Sequence, residues 1–158
     1  MITAKALQFG RSHQLGRLKG NFIIIGHSDK VRMEDHASLP IMIQQHQQLF
    51  GLKTLSSVAT DKGYASKENR NILIEAGVQE IGMQLRGLKE LTTLMDLEGK
   101  TKLKNRRAGI EPLIGHLKHG WQMGKTRMKT DKSCLSSAYT SVLGFNLRQL
   151  MRYQIIAV

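Results

Sequence analysis

The sequence predicts an α/β fold, a mixed sheet flanked by helices, and three observations carry that prediction. Ile23, Ile24 and Ile25 form a β-branched run bounded by Gly20 and Gly26, and an extended stretch, residues 8–15 (QFGRSHQL), precedes it, so the chain opens on a hairpin. Residues 55–59 (LSSVA) and 78–82 (VQEIG) are short strand signals on either side of a helix that starts at Ser66. A long helical pattern over about residues 133–153 closes the chain. A hairpin beside a strand–helix–strand unit mixes antiparallel with parallel pairing.

Taken in order, the hairpin is marginal by itself and needs more strands or a helix to cover it. Residues 29–40 (DKVRMEDHASLP) are a polar link ending in a helix start, with Ser38 or Asp35 as cap and Pro40 in the first turn. A Gln-rich helix over residues 41–50 stops at Gly51. The strand at 55–59 runs into Thr60-Asp61-Lys62-Gly63-Tyr64. An acid at the carboxyl end of a strand, followed by Gly, is where open α/β sheets place functional groups, although a turn Asp can equally bond its own backbone. The Ser66 helix carries Asn69 where a capping box would have Glu or Gln, runs through Ile72, Leu73 and Ala76, and ends at Gly77.

Residues 83–102 are ambiguous. Leu85, Leu88, Leu91 and Leu94 recur every third residue, as on a helix with an apolar edge, but Gly87 weakens that pattern and an ordered insertion is the alternative. Over residues 104–118 (KNRRAGIEPLIGHLK), Arg107, Glu111 and Lys118 share one helix face, while Ile110, Leu113, Ile114 and Leu117 make an apolar stripe beside it. That spacing presents one acid between bases; it also suits an ordinary surface pair worth about 0.2–0.5 kcal/mol. Gly109 and Pro112 require a kink, or a helix that starts close to Glu111. Residues 119–132 are Gly-broken, basic and expected to be an exposed loop. In the last helix Leu135, Ala138, Tyr139, Val142, Leu143, Asn146 and Leu150 keep helical spacing.

The charge is the strongest global signal. A net +12 and a pI near 10.1 favour a polyanionic partner, because neutralised phosphates release their condensed counterions. It is also unevenly placed: residues 101–132 hold nine Lys/Arg against Glu111 and Asp131, and the first twenty residues hold Lys5, Arg11, Arg17 and Lys19 with no acid. Few aromatics, 5%, argue against base-stacking platforms as the main binding device. The length of 158 residues fits one domain. The single Cys134 excludes an internal disulfide framework and is expected to be a small buried hydrophobe. With no membrane-length apolar run and no secretion-signal core, the expected location is the cytoplasm.

Three separated stretches, ATDKGYASKENRNIL, NRRAGIEPLIGHLKHG and GFNLRQLMRY, together resemble the carboxyl-terminal part of a bacterial insertion-sequence transposase. The type is the DDE enzymes with a ribonuclease-H-like core, nearest insertion-sequence families four and five. The family string is Tyr, two residues, Arg, three residues, Glu, six residues, Lys. Arg107, Glu111 and Lys118 match it, while Lys104 stands at the Tyr position. QFGRSHQL is similar to the family's strand before the sheet hairpin, so the resemblance covers nearly the whole chain.

The resemblance implies a ribonuclease-H-like mixed sheet and a catalytic domain that performs metal-dependent phosphodiester cleavage and strand transfer. Asp61 would be the second catalytic carboxylate and Glu111 the third, holding Mg²⁺ or Mn²⁺. Their carboxyl groups are then expected within roughly 4–8 Å of each other. Lys118 would hold a transposon-end phosphate, and Arg107 would orient Glu111 or touch DNA. Lys104, Arg106, Lys125, Arg127 and Lys129 would add DNA contacts to ends and target.

The family's first catalytic Asp lies on a strand before the hairpin. Asp29 and Asp35, the first two aspartates here, both fall beyond it. The expectation is therefore one partial catalytic domain over 1–158 that lacks the first, central strand. Its parts are a hairpin (about 1–27), a helix/strand core (28–82), an uncertain insertion or helix (83–102), and the Glu111 helix with basic loop and last helix (103–158). Such a chain is expected to be a truncated or split form, weak or inactive alone, nucleoid-associated, with a second polypeptide carrying the absent Asp or a homo-oligomer as further partners.

The alternative from the binding class is a basic nucleic-acid-binding protein without catalysis, in which Asp61 and Glu111 are structural. His116 and His119, at i, i+3, are a minor metal candidate without an acid or Cys at zinc-like spacing. Trp121 and Met123 are expected to pack or to lie against DNA.

Overall fold

The computed structural model describes residues 11–30, 33–83, 91–92 and 97–156, with the backbone alone at 91, 92, 97, 98, 100, 103, 104, 106, 155 and 156. The β-branched run forms β2 (Ile23–Asp29), paired antiparallel with β1 (Ser12–Arg17), and the register shifts between Gln14 and Leu15 as at a bulge. Residues 8–10 of the expected first strand lie outside the described residues. Alternation along β2 buries Ile23 and Ile25 on one face.

Helix α1 (Asp35–Phe50) begins well before the expected position, and Pro40 sits inside it rather than in its first turn. Neither Ser38 nor Asp35 caps it: the capping position is Glu34, with no side-chain bond, and Ser38 Oγ donates back to the Asp35 carbonyl at 2.8 Å. An interior proline withholds the N–H that the carbonyl four residues earlier, that of His36, would accept. Here the buried Asn69 Nδ2 donates to the His36 oxygen at 2.7 Å, so the early start leaves that oxygen paired. Gly51 ends the helix as expected.

The strand–helix–strand unit is present as β3 (Ser57–Ala59), α2 (Lys67–Glu75) and β4 (Glu80–Met83), with β3 and β4 parallel. Ser66 Oγ caps α2 by accepting from Asn69 N–H at 3.0 Å, and Gly77 (φ +84°) turns the chain out of it. Next, β5 (Leu91–Thr92) pairs antiparallel with β4. Leu91 therefore lies in a strand, which corrects the idea of one helix carrying every third leucine: the ladder takes up backbone groups that β4 would otherwise leave unpaired. Leu85, Gly87, Leu88 and Leu94 lie outside the described residues.

Helices α3 (Leu97–Ala108) and α4 (Ile110–Gly120) divide the 104–118 segment at Gly109. The kink thus falls three residues before Pro112, which occupies the first turn of α4, where a missing N–H costs nothing. Arg17, at the end of β1, lies so close to Gly109 that a Cβ there would come within 2.1 Å of its Nη1. The chain closes with α5 (Asp131–Ile156), tied to the end of β2 by the Lys30–Asp131 ion pair at 2.8 Å, which holds the Asp131 carboxyl below its usual range.

Among the described residues the strands form two sheets, β1–β2 and β3–β4–β5. Each has its own core. Ile23, Ile25, Leu113, Leu117, Val142 and Phe145 fill the space between the first sheet, α4 and α5. Leu39, Ile43, Leu73, Val78, Ile81 and Met83 join α1 and α2 to the second. The α4 stripe is as expected, with Leu113 and Leu117 buried. On α5 the expected face is only half right: Ala138, Val142 and Phe145 are buried beside Ser141, whereas Tyr139, Leu143 and Leu150 point outward. No helix among the described residues is long and apolar enough to cross a membrane.

Candidate functional site

Strand β3 delivers Asp61. The parallel ladder extends one residue beyond the strand, with Thr60 N–H donating to the Gly82 carbonyl at 3.1 Å, and then the chain turns. Asp61 Oδ1 accepts from Lys62 N–H at 2.8 Å and so caps a 3-10 turn, Lys62–Tyr64. The local role of a turn aspartate is thus filled, yet the side chain remains 76% exposed, which leaves carboxylate oxygen free for a further partner.

Arg107 is one such partner. Its Nη1 lies 3.8 Å from Asp61 Oδ1, which brings the carboxyl end of α3 to the carboxyl end of β3. A pair this exposed contributes little stability; its significance is positional, since it joins segments 46 residues apart. Glu111 follows Arg107 by four residues, across the Gly109 break, and stands exposed in the first turn of α4, where the helix dipole favours an acid.

A second carboxylate, absent from the residues the sequence points to as a site, faces the turn after β3. Asp35, at the start of α1, packs against Gly63, where a Cβ would meet its Oδ2 at 2.5 Å. Gln14 Nε2 donates to Asp35 Oδ1 at 3.2 Å, and the Tyr64 hydroxyl donates to Gln14 Oε1, so β1, α1 and the turn after β3 are joined by one chain of bonds. Burial, then the Asp35 charge, with a smaller push from Asp61, raise the Tyr64 phenol to about 12, against an opposing hydrogen bond from Ser38. The sequence signal for this grouping was the Gly63-Tyr64 pair itself: a residue without a side chain, then a ring, at the end of a strand.

The basic residues separate by element. Lys118 is exposed in the last turn of α4. Met123 N–H returns to the Leu117 carbonyl at 3.0 Å and starts the loop that carries Lys125, Arg127 and Lys129, all exposed. Among the described residues none of these four has a carboxylate within ion-pair distance. Lys104 and Arg106 lie on α3, with side chains outside the described residues. Trp121 and Met123 pack on the first core, as one of the two expectations for them had it. Cys134 is half-buried, its Sγ donating to the Met128 carbonyl at 3.3 Å, and not the fully buried hydrophobe expected.

No three His, Cys, Asp or Glu side chains among the described residues converge as metal ligands would. His116 and His119 accordingly gain no third ligand there. Asp61 and Glu111 offer carboxylate oxygens of the kind Mg²⁺ takes, and one or two carboxylates suffice for that ion when substrate phosphates and water complete its shell.

Comparison of the chain with protein-family models, with curated proteins and with solved structures finds no match.

Proposed function

We propose that this chain is the DNA-handling part of an insertion-sequence transposase catalytic domain. The observation that carries the reading is the Arg107–Asp61 contact, which sets the strand-end acid beside the end of α3, four residues before Glu111 in the first turn of α4. The divided sheet supports it as well. Among the described residues the ladder of β1 runs to β2 and that of β3 to β4, in two separate sheets. A ribonuclease-H-like sheet would join these two parts through its first strand, the strand that carries the family's first catalytic Asp.

In this reading Asp61 and Glu111 would hold Mg²⁺ or Mn²⁺, which would supply Lewis-acid chemistry toward a water or 3′-hydroxyl. Arg107 holds Asp61 in place from outside. Lys118 and the Lys125, Arg127 and Lys129 loop bind backbone phosphates of transposon ends and target, and set the register of the duplex. The chain acts at the nucleoid, with or without a second copy.

The test is cleavage of end-containing DNA in Mg²⁺ or Mn²⁺ by the chain together with a polypeptide that restores the first Asp. Wild type should nick the DNA, while Asp61→Asn and Glu111→Gln should remove cleavage and leave DNA binding intact. A second reading, a basic nucleic-acid-binding protein without catalysis, is favoured by the same contact seen otherwise: Arg107 neutralises Asp61 without a metal. Binding without cleavage in every one of these mixtures would select it.

A further inference from the structure

Between α4 and the carboxyl-terminal half of α5 lies a cleft of about 180 Å³, closed at one end by the turn that joins β1 to β2. Its polar lining consists of Arg148, Gln149 and Arg152 from α5, His116 from α4, and Asn21 from the turn. Among the described residues no carboxylate lines it. Arg148 and Arg152 are one helical turn apart on the same face, and among the described residues neither has an acidic side chain within ion-pair distance.

Asn21 is oriented as a donor. It sits at φ +63°, and its Oδ1 accepts from the Arg17 guanidinium, Nε at 2.9 Å, so the amide NH₂ is what remains to be offered. The floor is Leu113 and Phe145, both buried in the first core. A cleft of one charge sign over an apolar, low-dielectric wall focuses field. Two guanidinium forks with further N–H donors around one volume match an acceptor of several oxygens with tetrahedral spread better than a planar carboxylate.

We propose that this cleft is a phosphoryl-binding site, distinct from the Asp61 region and from the loop of Lys125, Arg127 and Lys129, and that the occupant is a backbone phosphate of a nucleic acid whose sugar rests on the Leu113–Phe145 floor. The site itself stands on its lining; only the nucleic-acid source of the phosphate rests on the function proposed above.

The experiment uses the full chain and two probes, inorganic phosphate and a short DNA duplex. Arginine side-chain NMR signals follow the first, and duplex affinity against salt follows the second. The Arg148 and Arg152 signals should move with phosphate in wild type. In R148Q/R152Q the log-affinity against log-salt slope for duplex should flatten by about 0.9–1.8, the loss of one or two phosphate contacts. R148K/R152K should keep that slope but lose phosphate affinity, because it retains charge without the fork. Both positions are exposed, so an unchanged melting temperature serves as the folding control.

Phosphate shifts with an unchanged duplex slope would support the site and overturn the nucleic-acid source in favour of a small phosphate compound. Phosphate shifts from a wild type that binds no duplex would overturn the proposed function and leave the site standing. Arginine signals unmoved by phosphate, with a duplex slope equal in wild type and R148Q/R152Q, would overturn the site.

Discussion

The side chain of Asn146 pairs with the backbone of Ile23 as a neighbouring strand would. Its Oδ1 accepts from Ile23 N–H at 2.9 Å and its Nδ2 donates to the Ile23 carbonyl at 2.8 Å, across 123 residues of chain. One amide thus completes the start of β2 and fixes the rotation of α5, which is why Val142 and Phe145 face the core while Leu143 and Leu147 face outward.

Asn146→Leu should therefore destabilise by about 2–4 kcal/mol, since it strands both the donor and the acceptor of a fully buried residue. Asn146→Asp should cost more, because a carboxylate would then oppose the Ile23 carbonyl. Urea denaturation checks both: a midpoint shift at constant slope is expected.

Trp121 packs its six-membered ring against Gly144, where a Cβ would stand 2.4 Å from the ring, and Ser141 Oγ donates to the Trp121 carbonyl at 2.7 Å. Alanine in place of a mid-helix glycine ordinarily gains about 1 kcal/mol of helix propensity. Gly144→Ala should nevertheless lower the melting temperature, because the ring must leave the helix surface. Trp121 is the sole tryptophan, so its emission should shift to the red in the same variant.

Tyr64 should ionise at about 12, above the ordinary phenol value of 10, as followed by phenolate absorbance. The neutral phenol is the form the fold favours. Its contribution is thus complete below pH 10 and is lost as the pH rises from there through about 12. Asp35→Asn should lower the Tyr64 value more than Asp61→Asn does, because Asp35 exerts the larger of the two charge effects. Equal or reversed effects would contradict the placement of Asp35 beside the ring.

Local chemistry was legible in the sequence, and distant compensation was not. Ser66 as a cap, Gly51 and Gly77 as stops, and Ile23 to Ile25 as a strand each depend on residues a few positions away, and each of these features lies at its expected place. On α5, apolar residues occupy two faces, Ala138 and Val142 on one and Tyr139 and Leu143 on the other. Periodicity could not choose between them without the Asn146 contact. The position of Asp61 at a strand end was legible for the same local reason as Ser66. The approach of Asp35 was not, because it depends on the missing side chain of Gly63, 28 residues further along.

The early start of α1 is the clearest such compensation, and it can be measured. Asn69 Nδ2 serves two carbonyls, His36 at 2.7 Å and Tyr64 at 2.8 Å, the first of which is free because Pro40 has no N–H to give. Asn69→Ala should cost about 2–4 kcal/mol by leaving both oxygens without their partner. Pro40→Ala supplies the helical N–H that the His36 oxygen lacks, while it frees the unfolded chain by about 0.4–1 kcal/mol, so alone it should change stability little. In the double variant the new backbone N–H of the Pro40→Ala change replaces one of the two lost bonds, and the loss from Asn69→Ala should shrink by about 1 kcal/mol. Strict additivity in that cycle would mean that the two residues do not share the His36 carbonyl.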